Sequence, residues 1–347
     1  MSVTSTRDPL LIAKSAAVER YLKTAQPRPT FSASVASVRP EHNVVGVGLG
    51  SKLIEGRSTG TVCVRFYVER KIAKDAIPPT LLLPENINEV ETDVIESGRF
   101  RALQLAVVAP QRARDPRARM RPAHPGCSVG FQFTGDQAGF VMAGTLGAIV
   151  KRQAEKKGEK SKEYLLSNNH VLANEGLLPV DSPIFQPGLL DDGNVSTDQI
   201  AKLSQFVPLA PATPNDVDCA VAEVLDTKLV RGSILGIGRL ADGRPVEATE
   251  GMPVEKSGRT TGFTAGTIAD TNADVIVGYE TGNFTFQNQI IVVGDHGPFS
   301  QAGDSGSLIV ATVPRRAVAL LFAGSATHTI GNPISAVLSA LNVVLVH

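Results

Sequence analysis

From Cys127 to His347 the chain is a succession of short apolar runs rich in Val, Ile, Thr and Ala, each broken by Gly or Pro. Glycine and proline are the strongest local interrupters of regular structure, and this chain carries 32 and 22 of them. Runs so short read as strands, and strands of this length bury their apolar side chains by stacking sheets or closing one into a barrel. The strand runs fall at residues 140–150, 163–167, 219–225, 234–237, 275–279, 289–293, 307–311 and 317–323. The charged stretch 151–163, with Gly158 inside it, reads as a solvated hairpin tip. The last element is helical: Asn332 caps, Pro333 occupies the first turn, and Ile334, Val337, Leu338, Leu341 and Leu345 share one face.

The N-terminal third is organised differently. Asp8-Pro9 is an N-cap followed by Pro at the first helical position, and Leu10, Leu11, Ala17, Val18, Tyr21 and Leu22 recur on one face. The Pro-containing stretch 26–29 stops this helix, and residues 43–50 and 61–68 read as two strands joined by a Gly-containing turn. Val94-Ile95 and the run 103–108 supply further apolar segments. Residues 1–110 are therefore expected to form a helix and a small α+β domain. Residues 111–126, with five arginines between Arg112 and Arg121 and no apolar period, read as a solvated linker, and 127–347 as the main domain.

Basic and acidic residues balance at 34 each, which removes the whole-protein electrostatic argument for a nucleic-acid or membrane-surface partner. Three cysteines are too few, and odd in number, for a disulfide-stapled secreted domain. The first eight residues carry no basic region leading into an apolar stretch, so a cytoplasmic protein is expected. With 42% hydrophobic residues, 5% aromatic and no Trp, the chain is a well-mixed globular sequence that favours strands.

Three segments place a reactive polar residue against an apolar strand. They are Ser167-Asn168-Asn169-His170-Val171, Asp216-Val217-Asp218-Cys219-Ala220-Val221 and Gly303-Asp304-Ser305-Gly306-Ser307-Leu308. Acyl transfer needs a nucleophile activated by a base, a carboxylate that holds the base in one tautomer, and donors aimed at the oxyanion. Ser305 is the candidate nucleophile, because its flanking glycines allow a sharp turn that aims the amides of Gly303 and Ser305 into one cavity. His170 is the candidate base, and Asp218, expected on the solvent side of a strand start, the carboxylate that orients it.

In their order these segments resemble the trypsin-like, chymotrypsin-fold serine peptidases. The resemblance covers about residues 127–347 and favours Asp218, followed by Cys219-Ala220-Val221, over Asp216, two residues earlier. Gly258-Arg259-Thr260-Thr261-Gly262, together with Gly303-Asp304-Ser305-Gly306-Ser307-Leu308-Ile309, is similar to the plant narrow-leaf type and its bacterial relatives. The resemblance implies a mostly β fold, a two-barrel peptidase domain preceded by the α+β unit. It also implies a serine endopeptidase acting on protein or peptide substrates without a cofactor. Val171 stands where animal trypsins carry a Cys, which sets the chain apart from the disulfide-bonded branch.

In the trypsins that cut after Lys or Arg an acid lies six residues before the nucleophile; by that resemblance the position here is Phe299, so a basic preference is disfavoured. Phe299, Ser300, Ala323 and Gly324 would suit a small or medium apolar side chain, with Thr327 or His328 as an acid-recognising group. In secreted relatives the acid before the nucleophile pairs with a newly cut N-terminus. Pro122 and Pro125 follow the arginine cluster here, so assembly without a cut is expected. Gly46-Val47-Gly48-Leu49-Gly50 imitates a dinucleotide loop, but its spacing is wrong and it reads as a glycine-containing strand. The histidines lack ligand spacing, so no metal site is expected. The N-terminal unit would serve regulation, substrate presentation or assembly into a homo-oligomer. A catalytically silent scaffold and an esterase using the same triad are the alternatives.

Overall fold

The computed structural model describes residues 8–23, 38–102, 115–152 and 162–347. The readings made at 26–29, at 103–108, at the start of the arginine-rich stretch and at the hairpin tip lie outside the described residues. Asp8 caps the first helix, α1 (Pro9–Ala17), by accepting from the Leu10 amide at 2.9 Å. Val18–Leu22 continue it as a π-helical turn. Ala13, Ala17 and Leu22 pack on Val47, Val64 and Phe66, whereas Leu11 is exposed.

Those partners belong to a long hairpin, β1 (Val44–Ile54) and β2 (Arg57–Val68), turned by Glu55 and Gly56, both at positive φ. Two more strands, β3 (Asn86–Ile87) and β4 (Val90–Glu96), extend the sheet, with β4 parallel to β2; then comes the short β5 (Arg101–Ala102). The glycine run Gly46 to Gly50 lies within β1.

The first barrel comprises β6 (Ser128–Phe131), β7 (Gly144–Thr145), β8 (Ala148–Arg152), β9 (Glu163–Ser167), the single turn α2 (Asn169–Leu172), β10 (Pro183–Phe185), β11 (Gln199–Phe206) and β12 (Ala220–Val224). The run from Gly144 to Arg152 bends at Leu146 and Gly147, so that β7 pairs with β6 while β8 pairs with β9. That bend closes the order β8-β9-β12-β11-β10-β6-β7 on itself.

The second barrel comprises β13 (Pro253–Gly258), β14 (Gly262–Gly278), β15 (Asn283–Gly294), β16 (Leu308–Ala311), β17 (Ala317–Gly324) and β18 (His328–Pro333). Here β13 pairs with both β14 and β16, completing the ring β13-β16-β17-β18-β15-β14. The helix α3 (Ile334–Leu341) then leads to β19 (Val343–Leu345), which joins β8 of the first barrel. The mostly β, two-barrel architecture is thus the one expected. One core cluster joins the barrels, with Val150, Leu166 and Val221 from one against Leu308, Val310 and Leu320 from the other, sealed by α3.

Several local expectations are corrected. Residues 234–237 are a turn closed by the Ile234 amide on the Gly238 carbonyl at 2.8 Å, because Gly236 and Gly238 take positive φ. Phe140 and Val141 are exposed and lie before the strand begins. Asn332 does not cap α3, whose first flanking residue is Pro333; its side chain faces the barrel interior instead. Leu345 belongs to β19, since Asn342 in the left-handed conformation ends the helix. The described part of the arginine-rich stretch carries ion pairs, although Arg119 stays exposed. Arg117 pairs with Asp115 at 2.9 Å, and Arg119 and Arg121 both reach Asp198. Among the described residues no helix is long and apolar enough to cross a membrane.

The N-terminal hairpin is hydrogen-bonded into the second barrel's sheet, Gly46 opposite Val275 and Val47 opposite Asp274. A Cβ at Gly48 would lie 1.9 Å from Asp270 Oδ2, so the missing side chain is what admits this buried carboxyl. Tyr67 donates to the same oxygen at 2.9 Å. Burial pushes the Asp270 carboxyl up to about 6. Between its ordinary pKa and 6 the folded chain keeps a proton that the unfolded chain loses, so this group's contribution to stability is full at low pH and falls as pH rises through 6. Asp270→Asn is expected to remove that decline, roughly 2 kcal/mol between pH 4 and pH 7. Urea midpoints of the two proteins at those pH values check it; parallel pH dependences would refute it.

Candidate active site

In the first barrel β9 and β12 are antiparallel neighbours, with Ser167 opposite Ala220. The residues just beyond the end of β9 and just before the start of β12 therefore meet, which brings His170 to Asp218. His170 Nδ1 lies 2.5 Å from Asp218 Oδ2, and Oδ1 accepts from the Asn169 amide at 2.7 Å and the His170 amide at 3.3 Å. Tyr279, on the second barrel, donates its phenol to Oδ2 at 2.7 Å. Burial and the Asp218 charge push this phenol well above its ordinary pKa, so it stays a donor. Asp218 is wholly buried, which corrects the solvent-facing expectation: the carboxylate survives there because donors surround it.

The backbone of Asp218 is pinned as well. Its amide donates to Asn332 Oδ1 at 2.9 Å, and its carbonyl accepts from Asn168 Nδ2 at 2.8 Å. Asn332 in turn donates to Gln289 at 2.7 Å. With Nδ1 facing a carboxylate, the His170 proton belongs on Nδ1 and Nε2 is the acceptor. Among the described residues Nε2 is buried with no hydrogen-bond partner. The Asp216 carboxylate lies outside this network: it is exposed and accepts from Gln287 at 2.8 Å, while its backbone carbonyl accepts from Gln289 at 3.0 Å.

The second barrel supplies the Ser305 loop. Gly303 and Gly306 both take positive φ, and a Cβ at Gly306 would lie 2.1 Å from Ser167 Oγ and 2.2 Å from the Thr145 carbonyl. Only glycine lets the two barrels approach so closely here. Val171 and the Ser305 carbonyl also converge, 2.6 Å and 3.1 Å from one position, the point a Cβ on Gly144 would occupy. Ser305 is wholly buried, and its hydroxyl donates to the Phe322 carbonyl at 3.1 Å rather than to His170. Among the described residues, no acceptor meets the amide of Gly303 or of Ser305.

Asp304 is buried in the same loop and anchors it. One carboxylate oxygen accepts from the amides of Thr260 at 2.9 Å and Thr261 at 3.1 Å. The other accepts from the Gln301 amide at 2.9 Å, the Thr261 hydroxyl at 2.7 Å and Lys256 Nζ at 3.3 Å. Burial lowers the Lys256 pKa, and the Asp304 carboxylate opposes that shift. Arg259 extends the assembly to the first barrel: its guanidinium forks onto Asp191, and its amide donates to Thr145 Oγ1 at 2.9 Å. Thr145 Oγ1 in turn donates to the Gly303 carbonyl at 2.9 Å. The turn from Gly258 to Gly262 is thus the seat of the Ser305 loop.

The remaining residues read from sequence are scattered around this centre. Phe299 is buried in the second barrel's core beside Val254, Ile268 and Val292. Ser300 shares a 2.6 Å hydrogen bond with Thr329. Ala323 and Gly324 are buried at the end of β17, and Thr327 is exposed. His328 accepts or donates at 2.8 Å with Thr327 Oγ1, meets the Tyr67 ring edge-on at 6.0 Å, and lines a cleft with Arg65 and Glu250. Burial lowers its pKa to about 4, leaving it neutral. A different cavity, of about 160 Å³, opens at His170 between Phe131, Phe133, Phe140 and Met142. Cys219 is buried and free, its thiol pushed well above the ordinary value by burial and by Asp218. Among the described residues no group of three or more His, Cys, Asp or Glu is arranged to hold a metal ion.

Tyr279, Asn332 and Lys256 escape sequence reasoning. Nothing local marks Tyr279, and Asn332 imitates a helix cap. Lys256 precedes the Gly258 turn by two residues and follows Glu255 directly, and nothing in that pair marks which of the two charges is buried.

The sequence profile of the Nal1 C-terminal domain matches residues 195–331, a span that contains Asp218, the Gly258 turn and Ser305. The chain is 26% identical over 296 residues to Protein NARROW LEAF 1 of rice, Oryza sativa subsp. japonica, covering 77% of this chain and 48% of that protein. It thus spans about half the length of that relative. The resemblance to the narrow-leaf type is therefore present along most of the chain. Among solved structures, Thermobifida fusca Protease A is similar at 17% identity and a TM-score of 0.43, covering 64% of this chain and 97% of that one. Nocardiopsis protease is similar at 15% identity and a TM-score of 0.44, covering 64% and 98%.

Removing one partner of a buried ion pair strands the other charge, a loss of about 3–5 kcal/mol. Lys256→Met is expected to destabilise the chain by roughly 3 kcal/mol, and adding Asp304→Asn to recover part of that loss. Urea denaturation of both variants measures it; a neutral Lys256→Met would show that the loop amides alone satisfy Asp304.

Proposed function

We propose that this chain is a serine endopeptidase that hydrolyses peptide bonds through an acyl-enzyme on Ser305, with His170 as general base and Asp218 as its orienting carboxylate. The observation that carries this reading is the buried His170–Asp218 pair, which leaves Nε2 as an unpartnered acceptor one residue from Val171, the side chain that meets the Ser305 loop at Gly144. A structural histidine has no need of a bare, buried ring nitrogen, whereas a general base requires one.

The chemistry follows from the groups present. For attack, the Ser305 hydroxyl turns from the Phe322 carbonyl to Nε2, which takes its proton as Oγ adds to the scissile carbonyl. Asp218 stabilises the imidazolium, and its own charge is held by the Tyr279 phenol and two amides. The unengaged amides of Gly303 and Ser305 are the donors for the oxyanion. His170 then returns the proton to the leaving amine, and water repeats the sequence on the acyl-enzyme. No activating cut is required, because Asp304 is already satisfied by Lys256 and the Gly258 turn. The buried Phe299 offers a basic side chain no carboxylate, so cleavage favours small or medium apolar residues. His328, neutral and turned toward Tyr67, supplies no cation for an acidic one.

The burial of Ser305 is the observation that keeps a catalytically silent scaffold as the second reading. Labelling with a fluorophosphonate decides between them. Wild type is expected to form an adduct, and Ser305→Ala and His170→Ala to lose it together with peptide hydrolysis, by on the order of 10⁴-fold or more. Absence of any Ser305-dependent adduct would establish the scaffold. Hydrolysis of small esters without peptide cleavage would instead make the chain an esterase.

A further inference from the structure

The short strand β5 sits where the second barrel ends beside Ser305. Ala102 pairs with Ala323 and Arg101 with Gly324, antiparallel to the end of β17, while Arg101 also pairs with Gly278 at the end of β14. The Gly278 amide donates to the Phe100 carbonyl at 3.1 Å, and the Phe100 ring is wholly buried in the cluster that contains Tyr67, Phe286 and Phe322.

Ala323 directly follows Phe322, whose carbonyl holds the Ser305 hydroxyl at 3.1 Å. The backbone of Ala323 and Gly324 is therefore a strand edge adjoining the proposed nucleophile. An extended peptide adds to an exposed sheet edge through main-chain hydrogen bonds, and this edge already carries a segment of the same chain. Ser305 is 0% exposed and His170 1% in this arrangement, with the cavity between Phe131 and Phe140 reaching His170 from the other side.

We propose that β5 is an intrachain blocking strand, which occupies the β17 edge beside Ser305 in place of an extended peptide and must leave before a peptide substrate binds. The proposal rests on Ser305 being the nucleophile. The hold is suited to release. Arg101 is exposed and Ala102 is small, so among the described residues β5 is retained by its backbone pairing, by the buried ring of Phe100 with Ala102 against the same cluster, and by the Arg99 hydrogen bond to Asn283 at 3.2 Å. The N-terminal unit that delivers β5 stays attached when it leaves, because β1 is paired independently with β14. A substrate or partner thus competes with an element that is always present at the site, and the apparent affinity for peptide is reduced by the fraction of chains in which β5 is bound.

A reversible lock in the full-length chain tests this. Residues directly opposite on antiparallel strands have Cα atoms roughly 4.5–5.5 Å apart, within the reach of a disulfide. The double variant Ala102→Cys/Ala323→Cys can therefore be closed by oxidation, and the three natural cysteines are buried. Hydrolysis of fluorescently labelled casein by the oxidised form is expected to fall about tenfold or more below that of its own reduced form. Phe100→Ala, checked for folding by thermal unfolding, is expected to raise the wild-type rate by a similar factor.

Equal casein hydrolysis by the oxidised and reduced forms, with a fluorophosphonate adduct on both, would overturn the blocking strand and leave Ser305 as nucleophile. Absence of an adduct in wild type, Phe100→Ala and the reduced double variant alike would overturn the reading of Ser305, and the blocking strand with it. Should Phe100→Ala fail to fold, the comparison between redox forms decides alone.

Discussion

The buried Asp304 carboxylate is the contact on which the arrangement of this molecule depends. Five donors converge on it, four from the turn around Gly258 and its own loop and one from the Lys256 ammonium. A carboxylate taken so far out of water is tolerated only when such donors are already in place. Its satisfaction therefore dictates where the next residue goes, and that residue is Ser305. The same turn sends Arg259 across to Asp191, so the position of Ser305 and the docking of the two barrels are settled by one set of bonds.

The other half of the site follows from strand adjacency. Because β9 and β12 are neighbours, His170 and Asp218 meet without a long loop, and Asn168, Asn169 and Asn332 hold the backbone around them. Tyr279 adds a contact from the opposite barrel, so the carboxylate is oriented by both halves of the fold. Each barrel thus carries part of the chemistry and part of the other's support. The N-terminal sheet is a third participant. It is continuous with the second barrel through β1 and returns to the end of β17 through β5.

Much of this was legible in the residues. The Asp8-Pro9 helix start, the hairpin of β1 and β2 and the strand β9 are local in origin, set by capping, turn chemistry and alternation, and they stand where the pattern places them. The long strands β14 and β15 were read only as short apolar cores. They carry buried polar groups such as Asp270 and Gln289, which break the alternation that a strand reading relies on. Asn332 misled for a related reason: an Asn before a Pro is good cap chemistry, yet its amide is taken by Asp218, more than a hundred residues away in sequence.

By itself the sequence determined the chemistry available: a histidine, a carboxylate and a glycine-flanked serine in a fixed order, on strands short enough to close into barrels, without cysteines to staple them. These are properties of residue type and local spacing, which survive in any conformation of the chain. Tertiary structure alone decided that the Asp218 carboxylate is buried against the imidazole and that Lys256 neutralises Asp304. It also decided that the Ser305 hydroxyl rests on Phe322, and that β5 lies on the adjoining edge. Each of these is a contact between segments far apart in sequence. Its energy comes from burial and from the pairing of groups removed from water, and neither exists until the barrels have closed.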